Sequence, residues 1–253
     1  MDSDPVFTQV KIARGQADFR KLADTHDVHF SFGECLYEAV PTTGHNWRPT
    51  RQPVMLSEWR PSMRWRDVFT TVMNWTSYKD VVYDGQTYGQ KDIEFKRFLE
   101  LPAMVAPTVL KVAVNTGKTR HTPRDLLAHK GWRIVDPMDV CPDFESYRTY
   151  IESSKAEWSV AKNGYVLKQP GCFSCRSACY LAAGRPVVVQ DTGFASTLPV
   201  GEGILPFTTM DEAVAAIREV EGNYARHAKA ARAIAEEYFD SDKVLTHLSL
   251  RRR

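Results

Sequence analysis

Potential nucleophiles and ligands are concentrated in the stretch GCFSCRSACYLAAGRPVVVQDTGF, residues 171–194. Three of the five cysteines, Cys172, Cys175 and Cys179, lie there within eight residues, ahead of a short helical pattern, a glycine and three valines. The spacing C-x-x-C-x-x-x-C suits a metal or a redox pair, and the start of a helix stabilises a thiolate. A zinc site needs a fourth ligand, however, and no other Cys or His lies nearby in the sequence. Buried structural thiols are therefore the favoured interpretation.

The turn before the predicted helix offers a different chemistry. Ser174 is placed to cap a helix over residues 175–183 that ends at Gly184. The first N–H groups of a helix have no partner inside it and the dipole there is positive, so this turn can accept a phosphate. Arg176 is available as a second donor, and Ser177 belongs to the same helix start.

A second polar loop follows the helix. The segment RPVVVQDTGF predicts a buried strand that ends at Asp191, Thr192 and Gly193. Glycine permits close approach of the backbone to a ligand, and the threonine hydroxyl can donate a hydrogen bond. Both loops are expected to face one crevice. A strand-helix junction that binds nothing is the alternative, because α/β proteins contain many such junctions.

Strand and helix patterns alternate along most of the chain. Apolar, β-branched runs such as VFTTVMNW, TVLKVAVN and RPVVVQD predict buried strands, and amphipathic segments such as NYARHAKAARAIAEEYF predict helices. This order predicts an α/β fold with a parallel sheet covered by helices on both faces. In such sheets ligands bind beyond the carboxyl ends of the strands.

The composition changes around residues 60 to 68, in RPSMRWRD, and predicts a domain joint there. Residues 1–62 are then a partial N-terminal α/β lobe, and residues 63–253 are a second, larger domain. Because MDSDPVFTQ reads as the end of a strand and the loop after it, the N-terminal lobe is expected to lack its first half.

Four charged residues are predicted to line the crevice. Lys91 opens the helix predicted after the first strand of the larger domain, where it can reach an anion. Lys162 follows the strand AEWSVAK at its carboxyl end. Asp4 and Glu34 follow predicted strand ends of the N-terminal lobe and form the opposite wall, where a carboxylate can orient a hydroxyl or act as a general base. A solvated or capping side chain is the alternative for each.

Composition argues against several classes of protein. The 33 basic and 31 acidic residues leave a net charge of +2, too small to indicate non-specific nucleic-acid binding. No segment approaches about 20 uninterrupted apolar residues, and no signal-peptide pattern opens the chain. The sequence thus predicts no nucleic-acid partner, no membrane span and a cytoplasmic location.

Seven segments in order resemble the bacterial GT-B-fold glycosyltransferases of the family 1/4 type: DPVFTQ, FSFGE, WRPTRQPV, FTTVMNW, SKAEWSVAKNGYV, RSACYLAAGRPVVVQDTGF and AEEYFDS. In those enzymes a GRPVV or GKPVV strand follows a helix that contacts the nucleotide-sugar. The resemblance implies a GT-B-like fold, with a Rossmann-like donor domain in residues 63–253 and a truncated acceptor-side lobe in residues 1–62.

The resemblance also implies an activity. A sugar would pass from a nucleotide-diphosphate-sugar donor to an acceptor that the sequence does not identify, without a metal or other cofactor. The leaving diphosphate would be stabilised by the helix start and by basic side chains. The residues that would bind the donor are Lys91, Ser174, Arg176, Ser177, Asp191, Thr192 and Gly193, and those that would act at the reacting centre are Asp4, Glu34 and Lys162.

Two departures from the family pattern stand beside these implications. Many retaining GT-B enzymes place one glutamate ahead of this helix and a second eight positions later, where Gly171 and Cys179 stand here, so that type of ribose clamp is absent. Cys172 and Cys175 occupy positions where a tryptophan and an acidic residue are expected. Two alternatives stay open: a non-catalytic nucleotide-sugar-binding module, and a sugar-nucleotide epimerase or phosphorylase on the same fold.

Overall fold

The structure is a computed structural model that describes residues 1–62 and 65–250, without the side chains of Tyr37 and Glu38. Its N-terminal lobe, residues 1–62, is built around a short parallel pair of strands. The elements of this lobe are helices α1 (Phe7–Ala13), α2 (Ala17–Asp24) and α3 (Leu36–Ala39) and strands β1 (His29–Ser31) and β2 (Trp47–Pro49). The predicted domain boundary falls at Met63, outside the described residues, and the division into two domains stays a prediction.

In the rest of the chain most strands are separated by helices, as the sequence pattern predicts. The strands are β3 (Val68–Met73), β4 (Val81–Tyr83), β5 (Gln86–Tyr88), β6 (Val109–Val114), β7 (Arg133–Val135), β8 (Ala156–Ser159), β9 (Val187–Gln190) and β10 (Ile204–Phe207). The helices are α4 (Lys91–Phe95), α5 (Leu101–Met104), α6 (Arg124–His129), α7 (Pro137–Val140), α8 (Phe144–Glu152), α9 (Asn163–Lys168), α10 (Cys175–Ala182), α11 (Met210–Gly222), α12 (Tyr224–Ile234) and α13 (Ser241–Leu250). A π-helical segment, Ala235–Phe239, continues α12, and short 3-10 turns lie at Leu56–Glu58, Lys96–Phe98 and Phe194–Ser196.

Six strands form one parallel sheet in the order β10-β9-β8-β3-β6-β7. The chain first extends the sheet from β3 through β6 to β7, and then returns to the other side of β3 for β8, β9 and β10. The predicted parallel sheet is therefore confirmed. Its strand order reverses between β3 and β8, and at such a point the flanking loops separate and leave a crevice beyond the carboxyl ends of the strands.

The core explains why these segments form buried strands and packed helices. All four residues of β9 are buried, as expected for a strand covered on both faces. One face of the sheet packs an aromatic cluster that contains Phe95, Trp132, Trp158 and Phe207. The other face packs against α10, whose small residues allow close contact with the strands. Among the described residues, no helix has the length and apolar character needed to cross a bilayer.

Two local predictions differ from the structure. In MDSDPVFTQ, Asp2 does pair with Ser31 as the end of a strand would, but α1 begins at Phe7 where a loop was expected. The antiparallel hairpin of β4 and β5 was not predicted. Its turn residues Asp84 and Gly85 have φ angles of 49° and 72°, so they adopt the left-handed conformation that two-residue hairpins require.

The chain returns to the N-terminal lobe near its end. The backbone N–H of Val54 donates to the carbonyl of Phe239 at 2.7 Å, and the N–H of Ser241 donates to the carbonyl of Val54 at 3.0 Å. These bonds form a parallel bridge between Val54 and Asp240. Helix α13 starts directly after this bridge and lines one cavity together with Glu34 and Arg51 of the N-terminal lobe.

Candidate functional site

A cavity of about 410 Å³ opens at the carboxyl ends of β8 and β9. It lies beside the point where the strand order reverses, in the crevice that the topology predicts. Of the predicted site residues, those that line the cavity are Lys91, Lys162, Ser174, Arg176, Ser177 and Thr192. Both loops around α10 therefore face this crevice, as expected from the sequence. Asp191 and Gly193 are the two residues of these loops that were expected to line it and do not.

The start of α10 supplies hydrogen-bond donors to the cavity. Ser174 is the N-cap residue, has an extended backbone and makes no side-chain capping bond. The backbone N–H groups of Cys175, Arg176 and Ser177 precede the first residue that can find an acceptor one turn back, so the helix itself leaves them unpaired. Ser177 is 1% exposed, and its hydroxyl has no partner among the described residues. Donors without acceptors at a helix start favour an anion as ligand.

Lys91 adds a cation at the same cavity. It is the first residue of α4, and no hydrogen bond or ion pair reaches its ammonium group within the described part of the chain. Burial lowers the pKa of Lys91 well below its ordinary value, and the nearby positive charges of Arg176 and Lys162 lower it further. A bound anion would supply the negative charge that Lys91 lacks among the described residues, and would raise its pKa again.

Arg176 is held differently from Lys91. Its Nε donates to Glu157 Oε1 at 2.5 Å, and its Nη1 donates to the carbonyl of Val72 at 2.8 Å. Glu157 is 0% exposed, so the two side chains form a buried ion pair. Nη2 is left without a hydrogen-bond partner in the described part of the chain. Because Glu157 balances the charge of Arg176, we expect Arg176 to attract an anion less strongly than the sequence suggests.

Asp4 and Lys162 meet where the N-terminal lobe faces the sheet. Lys162 Nζ lies 2.6 Å from Asp4 Oδ1 and 3.0 Å from the hydroxyl of Tyr78. Tyr78 donates to Asp4 Oδ2 at 2.5 Å, and the hydroxyl of Tyr165 donates to Asp4 Oδ1. Burial and the negative charge of Asp4 raise the pKa of Tyr78 far above its ordinary value, so it stays a donor. The sequence placed Asp4 and Lys162 on opposite walls of one cleft, and the structure puts them in contact.

Glu34 does not line this cavity. Its carboxylate accepts two hydrogen bonds from Arg51, at 2.7 and 2.8 Å, and faces a separate cavity of about 320 Å³. A bidentate pair of this kind fixes both side chains. Glu34 was expected on the wall opposite Lys162, and the structure places it elsewhere. The reason is that its carboxylate pairs with Arg51, seventeen residues further along the chain.

The polar groups of the loop after β9 form hydrogen bonds within the protein, partly inside the loop and partly to the segment before α10. The hydroxyl of Thr192 donates to the carbonyl of Cys172 at 2.7 Å, and the carboxylate of Asp191 accepts from the N–H of Gly193 at 3.0 Å. Gly193 has φ 92°, and an added Cβ would lie 2.6 Å from the carbonyl oxygen of Gln169. Its freedom serves close packing of two backbone segments, whereas the sequence suggested close approach to a ligand. Of these three residues, only Thr192 lines the cavity.

The cysteines are unbonded thiols in this structure. Burial raises the pKa of Cys172 well above its ordinary value and that of Cys179 to about 12, so both are protonated near neutral pH. The described residues contain no cluster of three or more His, Cys, Asp or Glu side chains placed to hold a metal ion. Cys172 and Cys179 are partly buried, whereas Cys175 is exposed and lines the donor cavity, so the prediction of buried thiols does not hold for Cys175.

A buried carboxylate that sequence reasoning missed fixes the cavity wall. Glu94 accepts hydrogen bonds from Asn163 at 2.8 Å, from Gln190 at 2.6 Å and from Arg97 at 2.7 Å. These bonds tie α4, the helix that begins at Lys91, to the start of α9 and to the carboxyl end of β9. The sequence gives no signal for this role beyond the position of Glu94 three residues after Lys91.

A parallel sheet covered on both faces, with a crevice where the strand order reverses, is consistent with the Rossmann-like donor domain of a GT-B fold. Residues 128–253, about half of the chain, match the family model described as "Glycosyl transferase-like". The family match and the structural neighbours confirm the resemblance to GT-B-fold glycosyltransferases. No curated protein matches the sequence significantly.

Solved structures share the fold at low sequence identity. HepE from Anabaena, in complex with UDP and glucose, has a TM-score of 0.63 and 11% identity over 96% of this chain and 66% of its own. TarM has a TM-score of 0.62 and 8% identity over 93% of this chain and 45% of its own. An alpha-glucosyltransferase in complex with UDP has a TM-score of 0.59 and 13% identity over 98% and 70%. This chain spans about half the length of TarM.

Proposed function

We propose that the protein binds a nucleotide-diphosphate sugar in the 410 Å³ cavity and transfers the sugar to an acceptor held against the N-terminal lobe. The observation that carries the proposal is Lys91, a partly buried lysine without a partner among the described residues, next to the unpaired N–H groups of α10. The family match over residues 128–253 and the UDP complexes of two structural neighbours support a nucleotide-sugar as the ligand.

In this mechanism the diphosphate is both the anchor and the leaving group. The helix holds the N–H groups at the start of α10 in place before the donor binds, and Lys91 lines the same cavity. Charge that develops on the leaving oxygen then meets donors that need no reorientation, which is the main source of electrostatic catalysis. Because the pKa of Lys91 is lowered in the empty cavity, the diphosphate would favour its protonated form as it binds.

Asp4 is the residue best placed to act on the acceptor. It lines a second cavity, of about 400 Å³, inside the N-terminal lobe, whereas its partner Lys162 lines the donor cavity. The apolar and aromatic side chains of the second cavity include Phe19, Leu22 and Trp47, surfaces on which a sugar ring can pack. Asp4 thus stands where a donor and an acceptor would meet, and it can orient the attacking hydroxyl.

A non-catalytic binding module is the second candidate, and one observation favours it. Both carboxylate oxygens of Asp4 already accept hydrogen bonds from Lys162, Tyr78 and Tyr165. An acceptor hydroxyl would have to replace one of these donors before Asp4 could take its proton. If that exchange does not occur, the donor cavity binds without transfer.

Thermal unfolding against a panel of UDP-, GDP-, ADP- and dTDP-sugars, without added metal, tests donor binding. A ligand at 100 times its dissociation constant adds about 2.7 kcal/mol to the free energy of unfolding. Release of free nucleotide diphosphate with an acceptor library then separates an enzyme from a binding module. Release of an isomerised sugar, or of sugar phosphate, without an acceptor indicates the epimerase or phosphorylase alternative. The proposal is contradicted if no member of the panel stabilises the protein.

A further inference from the structure

Another cavity, with a basic lining, lies away from both the proposed donor site and the cavity lined by Asp4. Its volume is about 360 Å³, and it shares no lining residue with the cavity beside α10. Its residues come from the face of the sheet near the amino ends of β3, β6 and β7 and from the segment after α8; they are Arg66, Val68, Thr70, Lys111, Arg133, Val135 and Ser154. The proposed sugar transfer uses none of them.

The strand register brings the cations together. Thr70 pairs with Lys111 across β3 and β6, and Lys111 pairs with Arg133 across β6 and β7. Directly paired residues of neighbouring strands project from the same face of a sheet, so Lys111 and Arg133 stand side by side. Arg66 approaches the same cavity from the segment that leads into β3. Like charges this close repel each other unless something opposes them.

The nearby carboxylates do not oppose these charges. Within the described ranges, no ion pair joins Arg66, Lys111 or Arg133 to an acidic side chain. Asp67, next to Arg66, lies 2.6 Å from Lys155, and Asp136, just after β7, lies 3.6 Å from Arg124. Burial lowers the pKa of Lys111, and the charges of Arg66 and Arg133 lower it further. The cluster is therefore left with excess positive charge.

The ring of a buried tyrosine packs against two of the same cations. Tyr150 of α8 is 3% exposed, and its hydroxyl makes no hydrogen bond to any part of the chain that the structure describes. Lys111 Nζ lies 5.5 Å from the centre of the Tyr150 ring, and the guanidinium carbon of Arg66 lies 5.8 Å from it. These contacts are with the face of a neutral ring, and Arg66 donates a further hydrogen bond to the hydroxyl of Ser153 at 2.6 Å, so neither cation gains a negative charge from them.

We propose that this cavity is a second anion site, which binds the phosphate group of a small phosphate ester or of a lipid headgroup. Lys111, Arg133 and Arg66 would share the charge of the phosphate. Its volume exceeds that of inorganic phosphate alone, so it has room for part of the esterified molecule. The site is independent of the nucleotide-sugar cavity, and the proposal does not rest on sugar transfer.

Inorganic phosphate is the first probe, measured by thermal unfolding against sodium chloride at matched ionic strength. Because phosphate would also enter the donor cavity, the measurement is made on wild type and on Lys91→Met. Phosphate should stabilise Lys91→Met, and Lys111→Met or Arg133→Gln in that background should weaken its apparent affinity by about tenfold or more. Lys96→Met is the matched control, because Lys96 is exposed and does not line this cavity.

The unliganded variants give a second readout that does not depend on binding. Removing the charge of Lys111 relieves repulsion, so Lys111→Met should unfold at the same temperature as its parent or at a higher one. Sedimentation with phosphatidylcholine vesicles, with and without phosphatidic acid, distinguishes the sources. Capture that needs phosphatidic acid and is lost in Lys111→Met assigns a headgroup, whereas phosphate binding without capture assigns a free ester. Equal phosphate affinity in all of these variants overturns the proposal.

Discussion

Replacing Lys91 with methionine tests the proposed donor site most directly, because it removes a charge while keeping a side chain of similar length. A hydrogen bond to a charged group contributes about 1.5 to 3 kcal/mol, which corresponds to a loss of about 10- to 100-fold in affinity. The side chain of Lys91 makes no hydrogen bond among the described residues, so its replacement leaves no protein group unpaired. Donor affinity should therefore fall without a loss of folding.

The same variant should change how stability depends on pH. Because the pKa of Lys91 in the folded protein lies well below its ordinary value of 10.5, the unfolded chain binds more protons between these two values. The free energy of unfolding then rises with pH in that window, and at neutral pH the buried lysine lowers it. Lys91→Met should be more stable than wild type at neutral pH, and its stability should depend less on pH up to about 10.5.

Isothermal titration calorimetry with the nucleotide-sugar selected from the panel measures the affinity, and urea unfolding between pH 7 and 10 measures stability. Lys96→Met is the matched control, because Lys96 follows α4 immediately and is exposed. The reasoning is refuted if Lys91→Met binds the donor as tightly as Lys96→Met does. It is equally refuted if Lys91→Met is less stable than wild type at neutral pH.

Three further changes test other parts of the site. Asp4→Asn should keep donor binding but slow transfer by about 100-fold or more, since it removes the proposed general base; unchanged turnover in a sugar-release assay would exclude that role. Glu157→Gln should lower the free energy of unfolding by about 3 to 5 kcal/mol, because it leaves Arg176 as an unbalanced buried charge; urea unfolding measures this, with Glu145→Gln as an exposed control. Gly193→Ala should cost about 1 to 3 kcal/mol, since its Cβ would lie 2.6 Å from the Gln169 carbonyl oxygen; an unchanged midpoint contradicts that packing.

Because Arg176 forms a buried charge pair, its substitution affects both the donor cavity and the stability of the fold. Arg176→Ala removes a cavity-lining donor, but it also strands the carboxylate of Glu157 inside the protein. Loss of donor binding in that variant would therefore mix a local effect with a folding effect. Lys91→Met tests donor binding without this folding effect, because no carboxylate among the described residues pairs with Lys91.

Long apolar runs made the sheet predictable. VFTTVMNW and RPVVVQD each contain a run of apolar and β-branched residues, which is the usual composition of a strand buried on both faces. The start of α10 was predictable for a similar reason, since a serine, a small-residue helix and a glycine are local signals. The structure gives Gly184 a φ of 68°, as a glycine at a helix end commonly has.

Residues whose partners lie far along the chain were not predictable in the same way. The carboxylate of Glu34 reads the same in sequence whether it faces a ligand or Arg51. Thr192 and Asp191 look like ligand donors and acceptors until the fold shows which backbone groups already use them. Tyr78 and Tyr165 lie more than seventy residues from Asp4, so only the assembled sheet brings their hydroxyl groups to it.

The bridge between Val54 and Asp240 has a mechanical consequence for the cleft. It fastens the end of the N-terminal lobe to the start of α13 by two backbone hydrogen bonds, whereas side chains alone join Asp4 to Lys162. Backbone pairing resists sliding more than a single side-chain contact does. A second backbone contact lies beside the donor cavity, where Gly33 bridges Cys172 and the N–H of Cys35 donates to the carbonyl of Pro170 at 2.8 Å. A rigid-body displacement of the lobe away from Lys162 therefore has to break backbone hydrogen bonds as well as the ion pair.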